Sequence, residues 1–217
     1  GGVNDFGDTL AASQNHSAAC SSSTRAVRAQ GSFVPGSSNV LEFITIDTTG
    51  DSTNFGDLPR SGVFSMKGSF ASPTRGIFGG GKGPDTNQID FITIATTGNA
   101  QDFGDLLSAT AEGSGCSNTT RGLFMSGSGP LDDNIIEFIT IATLGNSQDF
   151  GDLLQSTEAA GCCASSTRGL AAGGTTPTKI NSIEFVTIST LGNATDFGDR
   201  VVTGYGVGGL SDVHGGI

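Results

Sequence analysis

The sequence predicts an all-β protein, a β-propeller of repeats of about 47 residues with four strands each. Three observations lead there. One acidic turn recurs five times, as Asp5-Phe6-Gly7-Asp8, Asn54-Phe55-Gly56-Asp57, Asp102-Phe103-Gly104-Asp105, Asp149-Phe150-Gly151-Asp152 and Asp196-Phe197-Gly198-Asp199, with its phenylalanines 49, 48, 47 and 47 residues apart. A fixed period of this size marks a unit that buries its faces only against its neighbours. The chain is also rich in Gly (35 residues), lacks Trp, and carries strand-sized apolar runs between tight turns with no helical stretch. Finally, each full unit holds one run that is apolar on both faces, as in a sheet sandwiched between two others.

The third unit, from Phe103 to Asp149, serves as template. Gly115-Cys116-Ser117 reads as a first strand, and Ser117-Asn118-Thr119-Thr120 turns the chain. Arg121-Gly122-Leu123-Phe124-Met125 is a second strand, ending in a loop of small residues from Ser126 to Asp133. Ile135-Ile136-Glu137-Phe138-Ile139-Thr140-Ile141, rich in β-branched residues, is the third. Leu144-Gly145-Asn146 turns into a short fourth strand around Asp149 to Leu153. Such a four-stranded antiparallel unit is a propeller blade, whereas β-helix coils are shorter and leucine-rich repeats space their Leu differently.

Arg25, Arg75, Arg121 and Arg168 open the second strands, and Glu42, Asp90, Glu137 and Glu184 sit early in the third. Folding each strand pair symmetrically about its loop, at position 129 in the third unit, predicts four cross-strand pairs: Arg25 with Glu42, Arg75 with Asp90, Arg121 with Glu137 and Arg168 with Glu184. The fifth unit ends before its third strand, and His214 stands in the Arg position.

The units divide the single 1–217 domain into full repeats of approximately 9–57, 58–105, 106–152 and 153–199. Residues 1–8 correspond to a turn and fourth strand, and 200–217 to first and second strands. These ends are complementary, which predicts a five-bladed ring with a composite closing blade. A four-bladed ring with spare terminal strands is the alternative. The closing blade has no recognisable third strand of its own, so either it has three strands, or a partner or further sequence supplies the fourth by edge addition.

The strings Ile77-Phe78-Gly79-Gly80 with Ile89-Asp90-Phe91-Ile92-Thr93-Ile94, and Leu170-Ala171-Ala172-Gly173-Gly174 with Ile183-Glu184-Phe185-Val186-Thr187-Ile188, resemble kelch-like propeller repeats, with Phe in the fourth-strand place of the usual Trp. The fuller pattern, Arg-Gly-(Leu/Ile)-Phe, Ile-(Glu/Asp)-Phe-Ile-Thr-Ile, Thr-(Thr/Leu)-Gly-Asn and Asp-Phe-Gly-Asp-Leu, is similar to repeats in predicted virion structural proteins of aquatic bacteriophages. That resemblance covers nearly the whole chain. It implies a tail, fibre or capsid-decorating protein located on the virion, and it brings no catalytic residue.

A net charge of −11, from 21 Asp and Glu against 10 Lys and Arg, repels phosphate and argues against nucleic-acid binding. No apolar run reaches membrane-spanning length. Asp-Phe-Gly matches a kinase magnesium turn but lacks every companion motif. The expected role of this turn is structural: Phe packs between blades and Asp caps turn amides. A calcium site on these oxygens is the lesser alternative, so no cofactor is expected. Gly76 to Lys82 approaches a phosphate loop, and Gly204 to Gly209 a dinucleotide fingerprint, but neither precedes a helix. Cys20, Cys116 and Cys163 share one repeat position and read as buried free thiols on separate blades, with Cys162 on the opposite strand face. His16 and His214 read as surface or structural residues, and no metal or catalytic constellation emerges.

Function is expected on the loops between strands two and three, which emerge on the same face as the links between units and differ most from unit to unit. Phe33 is the candidate apolar anchor, and Lys82, Asp85, Asp132, Asp133 and Lys179 are candidates for polar specificity. The expected role is that of a non-enzymatic virion structural or adhesion module, binding other virion proteins or a host-surface glycan. The alternative is a lectin-like or protein-interaction propeller of cellular origin, extracellular or cytoplasmic.

Overall fold

In the computed structural model the described residues are 2–10, 17–29, 31–33, 36–60, 65–129, 134–175 and 177–210, with backbone alone for 32, 33, 36 and 37. Among them there is no helix, and four antiparallel sheets of four strands follow one another as the blades of an all-β propeller. Blade 1 holds β1 (Ala18–Ser21), β2 (Arg25–Ala29), β5 (Val40–Thr45) and β6 (Thr53–Asp57), with the short hairpin β3 (Ser32–Phe33) and β4 (Gly36–Ser37) between its second and third strands. Blade 2 holds β7 (Gly68–Ala71), β8 (Arg75–Gly81), β9 (Thr86–Thr93) and β10 (Gln101–Asp105). Blade 3 holds β11 (Ser114–Ser117), β12 (Arg121–Met125), β13 (Ile135–Thr140) and β14 (Gln148–Asp152). Blade 4 holds β15 (Gly161–Ala164), β16 (Arg168–Ala172), β17 (Ser182–Thr187) and β18 (Thr195–Asp199).

The core lies between blades rather than within them. Val27, Leu41 and Phe55 of blade 1 pack with Phe78, Ile92 and Ile94 of blade 2. Ile77, Ile89 and Phe103 of blade 2 pack with Phe124, Ile139 and Ile141 of blade 3. Leu123, Ile136 and Phe150 of blade 3 meet Val186 and Ile188 of blade 4. The double-sided apolarity of the third strands in blades 2 and 3 follows, since those sheets are covered on both faces.

The acidic turn forms a β-bulge. Asn54 and Gly56 pair with the consecutive residues Glu42 and Leu41, which leaves Phe55 as the extra residue, buried and edge-on to Phe43 at 6.0 Å. Phe103 and Phe150 repeat this against Phe91 and Phe138. The following glycine has positive φ (150° at Gly56), and a Cβ there would collide with the backbone of Gly98 in the next blade. The Asp before Phe caps a turn amide as expected, Asp149 Oδ1 accepting from Gly151 N–H at 3.0 Å. In the first-to-second-strand turns Asn118 Oδ1 accepts from Thr120 and Arg121 N–H, and Ser22, Ser72 and Ser165 act likewise.

The predicted Arg–acid pairs are corrected by the register. Arg121 faces Thr140, and Glu137 faces Phe124; Arg25, Arg75 and Arg168 likewise face Thr45, Thr93 and Thr187 rather than Glu42, Asp90 and Glu184. Each strand pair is offset by three residues from symmetric folding, because the intervening loop is not centred. The four arginines instead stack on the third-strand rings of Phe43, Phe91, Phe138 and Phe185, 4.2–4.8 Å from the centroids. Arg25, Arg75 and Arg121 also donate to the carbonyls of Ile94, Ile141 and Ile188 in the next blade.

The four acids are all buried, and each has a different environment. Glu42 accepts from Arg28, Ser52 Oγ and Leu10 N–H. Burial would raise its pKa, but those donors outweigh it and hold the carboxyl below its ordinary value. Glu137 accepts from Lys67 Nζ at 2.5 Å, Ser147 Oγ at 2.5 Å and Leu107 N–H at 2.8 Å. In blade 2 the residue equivalent to Leu10 and Leu107 is Pro59, which has no N–H, and Arg60 supplies its guanidinium to Asp90 instead, with Nε at 2.8 Å. Glu184 accepts from Leu154 N–H at 2.8 Å, and among the described residues no cation pairs with it. Ala194 stands where Ser52 and Ser147 stand in blades 1 and 3.

Candidate binding face

The first strands β1, β7, β11 and β15 lie side by side around a central channel of about 740 Å³, to which the segment Tyr205–Gly209 contributes a fifth wall. Ser69 Oγ and Ser117 Oγ tie neighbouring first strands together by donating to Ala19 O and Ala71 O at 2.9 Å. The Tyr205–Gly209 segment packs on β15, its Val207 against Gly161 and its Gly209 against Cys162. At one mouth of the channel, four residues 47 positions apart share a left-handed backbone: Ser65, Glu112, Ala159 and Gly206, with φ of 53°, 54°, 54° and 65°. They form a chain of backbone hydrogen bonds, Glu112 N–H to Ser65 O at 2.9 Å, Ala159 N–H to Glu112 O at 2.6 Å and Gly206 N–H to Ala159 O at 2.8 Å. Three of the four are not glycine, and this cooperative chain compensates the local strain.

The loops between second and third strands are stapled to this rim. Gly81, Gly127 and Gly174 N–H donate to Thr110 O, Thr157 O and Gly204 O of the following inter-blade link at 2.8–2.9 Å. Loops and links therefore share one face, as the up-and-down order of strands requires. Their side chains differ from blade to blade. Lys82 pairs with Glu112 at 2.9 Å, both about one-third exposed (33 % and 29 %). Lys179 lies over the ring of Tyr205 at 5.0 Å, and Thr175 bridges the backbones of Glu158 and Lys179. Asp85 is exposed on the same loop as Lys82.

Of the candidates read from sequence, Lys82, Asp85 and Lys179 lie on this face. The side chain of Phe33 and the whole of Asp132 and Asp133 lie outside the described residues, as do His16 and His214. Glu112, Glu158, Thr175 and Tyr205 escaped the sequence reading. The signal for Glu112 was the repeat position: at one site per unit the residue changes from Ser65 to Glu112 to Ala159 to Gly206 while the backbone stays fixed.

The channel wall is mainly Gly, Ala and Ser, with Tyr205 its one aromatic side chain among the described residues. Cys162 lines it, but burial pushes that thiol up to about 12, so it stays protonated and non-nucleophilic near neutral pH. Cys20 and Cys116 are also buried free thiols, whereas Cys163 is only half-buried. This departs from the expectation for Cys163, and its cause is that among the described residues no complete blade packs on the outer face of blade 4. Among the described residues no three His, Cys, Asp or Glu side chains converge as a metal-binding group. Among the described residues no helix is long and apolar enough to cross a membrane. No protein-family model matches the chain, and no curated protein matches its sequence.

Proposed function

We propose that the chain is a non-enzymatic attachment module, a propeller that holds one face of divergent loops against a binding partner on or beside a virus particle. The observation that carries this reading is the stapled rim: equivalent backbone bonds fix the loops of blades 2, 3 and 4, while the side chains they present change from blade to blade. Repetition fixes the frame, and variation is left to Lys82, Asp85, Glu112, Lys179 and Tyr205 at the mouth. A rigid frame limits the ordering entropy lost on binding, which is what a recognition surface needs. The resemblance of the repeats to predicted virion structural proteins favours another virion protein as the partner, with a host-surface glycan as the second possibility.

The test is the composition of the native assembly that carries the chain, purified gently and read by mass spectrometry. Tail, fibre or capsid proteins at fixed stoichiometry support the reading. Recovery as a free monomer that cleaves a surface polysaccharide refutes it.

A further inference from the structure

Consecutive blades are joined by one set of contacts, and the outer face of blade 4 lacks its mate. Between blades 2 and 3, Arg75 Nη1 donates to Ile141 O at 2.9 Å, and the turn after β13 docks on β10. Gly145 N–H donates to Phe103 O at 2.9 Å, Ser147 N–H to Asp105 O at 2.8 Å, and Asp105 N–H to Asn146 Oδ1 at 3.0 Å. The same atoms of the same repeat positions make the junctions of blades 1 with 2 and 3 with 4, at 2.7–3.1 Å.

Blade 4 presents half of a further junction in Arg168, Phe197 and Asp199. Among the described residues no carbonyl meets the Arg168 guanidinium, and no following turn meets the outer peptide groups of Phe197 and Asp199. Phe197 is 53 % exposed, whereas Phe55, Phe103 and Phe150 are 2, 3 and 2 % exposed. Across the notch, Phe6 O and Asp8 O accept from Gly50 and Ser52 N–H as a fourth strand would. Phe6, however, has among the described residues none of the edge-on third-strand partners that Phe55, Phe103, Phe150 and Phe197 have. A third strand with its turn would complete both sides at once. The 217 residues contain four such sequences, and blades 1 to 4 use them all.

We propose that this notch is a strand-acceptor site, filled by an extended segment with third-strand chemistry supplied from outside residues 1–217. The junctions within the chain specify that chemistry. The segment is apolar on both faces and carries a Phe to meet Phe6. Its strand ends in a carbonyl for Arg168, and a Gly-Asn or Gly-Asp turn follows to dock on Phe197 and Asp199. Its addition closes a five-bladed ring and covers the exposed edge of β18. This site lies at the blade edge, so it stands or falls independently of what the loop face binds.

The probe is a fluorescein-labelled peptide of residues 134–147, Asn-Ile-Ile-Glu-Phe-Ile-Thr-Ile-Ala-Thr-Leu-Gly-Asn-Ser, titrated with the full chain and read by fluorescence anisotropy. Saturable one-to-one binding is expected. Phe197→Ala and Arg168→Ala in the protein each weaken it about tenfold, as does Gly145→Pro in the peptide, which removes the docking N–H. Both protein positions are exposed, so an unchanged thermal midpoint confirms their folding. The peptide variant probes the same junction without altering the protein. Absence of saturable binding, or equal binding of a scrambled peptide, overturns the proposal.

Discussion

The ring of Phe70 fills the space that any side chain on Gly122 would need, across the junction of blades 2 and 3. Cys20 makes the same contact with Gly76, and Cys116 with Gly169. In units 1 to 3 the residue five before the arginine is thus a knob, and the glycine after the next unit's arginine is its socket. Unit 1 has Ala26 in the socket position, and among the described residues no complete blade precedes it. The Arg-Gly pair of the repeat therefore records two inter-blade contacts, a guanidinium that reaches forward and a gap that receives.

Gly122→Ala should destabilise the fold by about 1–3 kcal/mol through overpacking. The backbone conformation at Gly122 is one that alanine adopts, so the cost reports the clash alone. Phe70→Cys, which installs the knob of units 1 and 3, should relieve that clash. The double variant should lose less than the sum of the two single changes. Urea unfolding followed by circular dichroism measures all three, and strict additivity would disprove the knob-and-socket coupling.

Lys67 reaches from blade 2 into blade 3 to meet Glu137, with both side chains at most 4 % exposed. Lys67→Met should cost about 3–5 kcal/mol, because it leaves a buried carboxylate without its cation. Lys67→Met with Glu137→Met removes both charges and should recover most of that loss. The unfolding midpoints of the single and double variants decide it.

The third-strand pattern, the period and the packing of the turn's Phe between blades were all legible in the sequence, because each recurs wherever the physics recurs. The cations that neutralise the buried acids were not. Arg28 comes from a second strand, Arg60 from a link and Lys67 from the approach to a first strand, three positions unrelated by the repeat. Pairing by symmetry consequently chose Arg25, Arg75, Arg121 and Arg168, whose task is to stack on Phe and reach the next blade. On the binding face, Lys82 and Lys179 were legible as loop residues. Glu112 and Tyr205 were not, since only the folded rim brings them beside those lysines.

Thiol labelling separates the four cysteines. Cys20 and Cys162 have thiols pushed up to about 12 by burial, and burial also raises Cys116. Cys163 is half-buried beside the open junction. Native protein treated with iodoacetamide at pH 8 should therefore modify Cys163 well before the other three, and unfolded protein should modify all four together. Peptide mass mapping over time reads the order, and early modification of Cys162 would contradict the packing of Tyr205–Gly209 on β15.

Glu184 gives the fold a specific pH dependence. Burial raises its pKa above the ordinary 4.5, the Leu154 N–H opposes that rise, and nearby Asp196 adds to it. A carboxyl whose pKa is higher folded than unfolded binds more protons in the folded state between the two values. Stability from this group therefore falls as pH rises through that window, and the deficit persists at neutral pH. Glu42 acts oppositely: its lowered pKa stabilises above 4.5, and that contribution is lost as pH falls through its folded value. Glu184→Gln keeps an acceptor for Leu154 N–H and removes the buried charge, so it should raise the thermal midpoint at pH 7 and leave it nearly unchanged at pH 4. Glu42→Gln removes the carboxylate to which Arg28 donates and should lower the midpoint at pH 7, with a smaller effect at pH 4. Thermal melts of both variants across pH 4 to 8 test the pair, and a Glu184→Gln variant less stable than the parent at pH 7 would show that a cation neutralises this carboxylate after all.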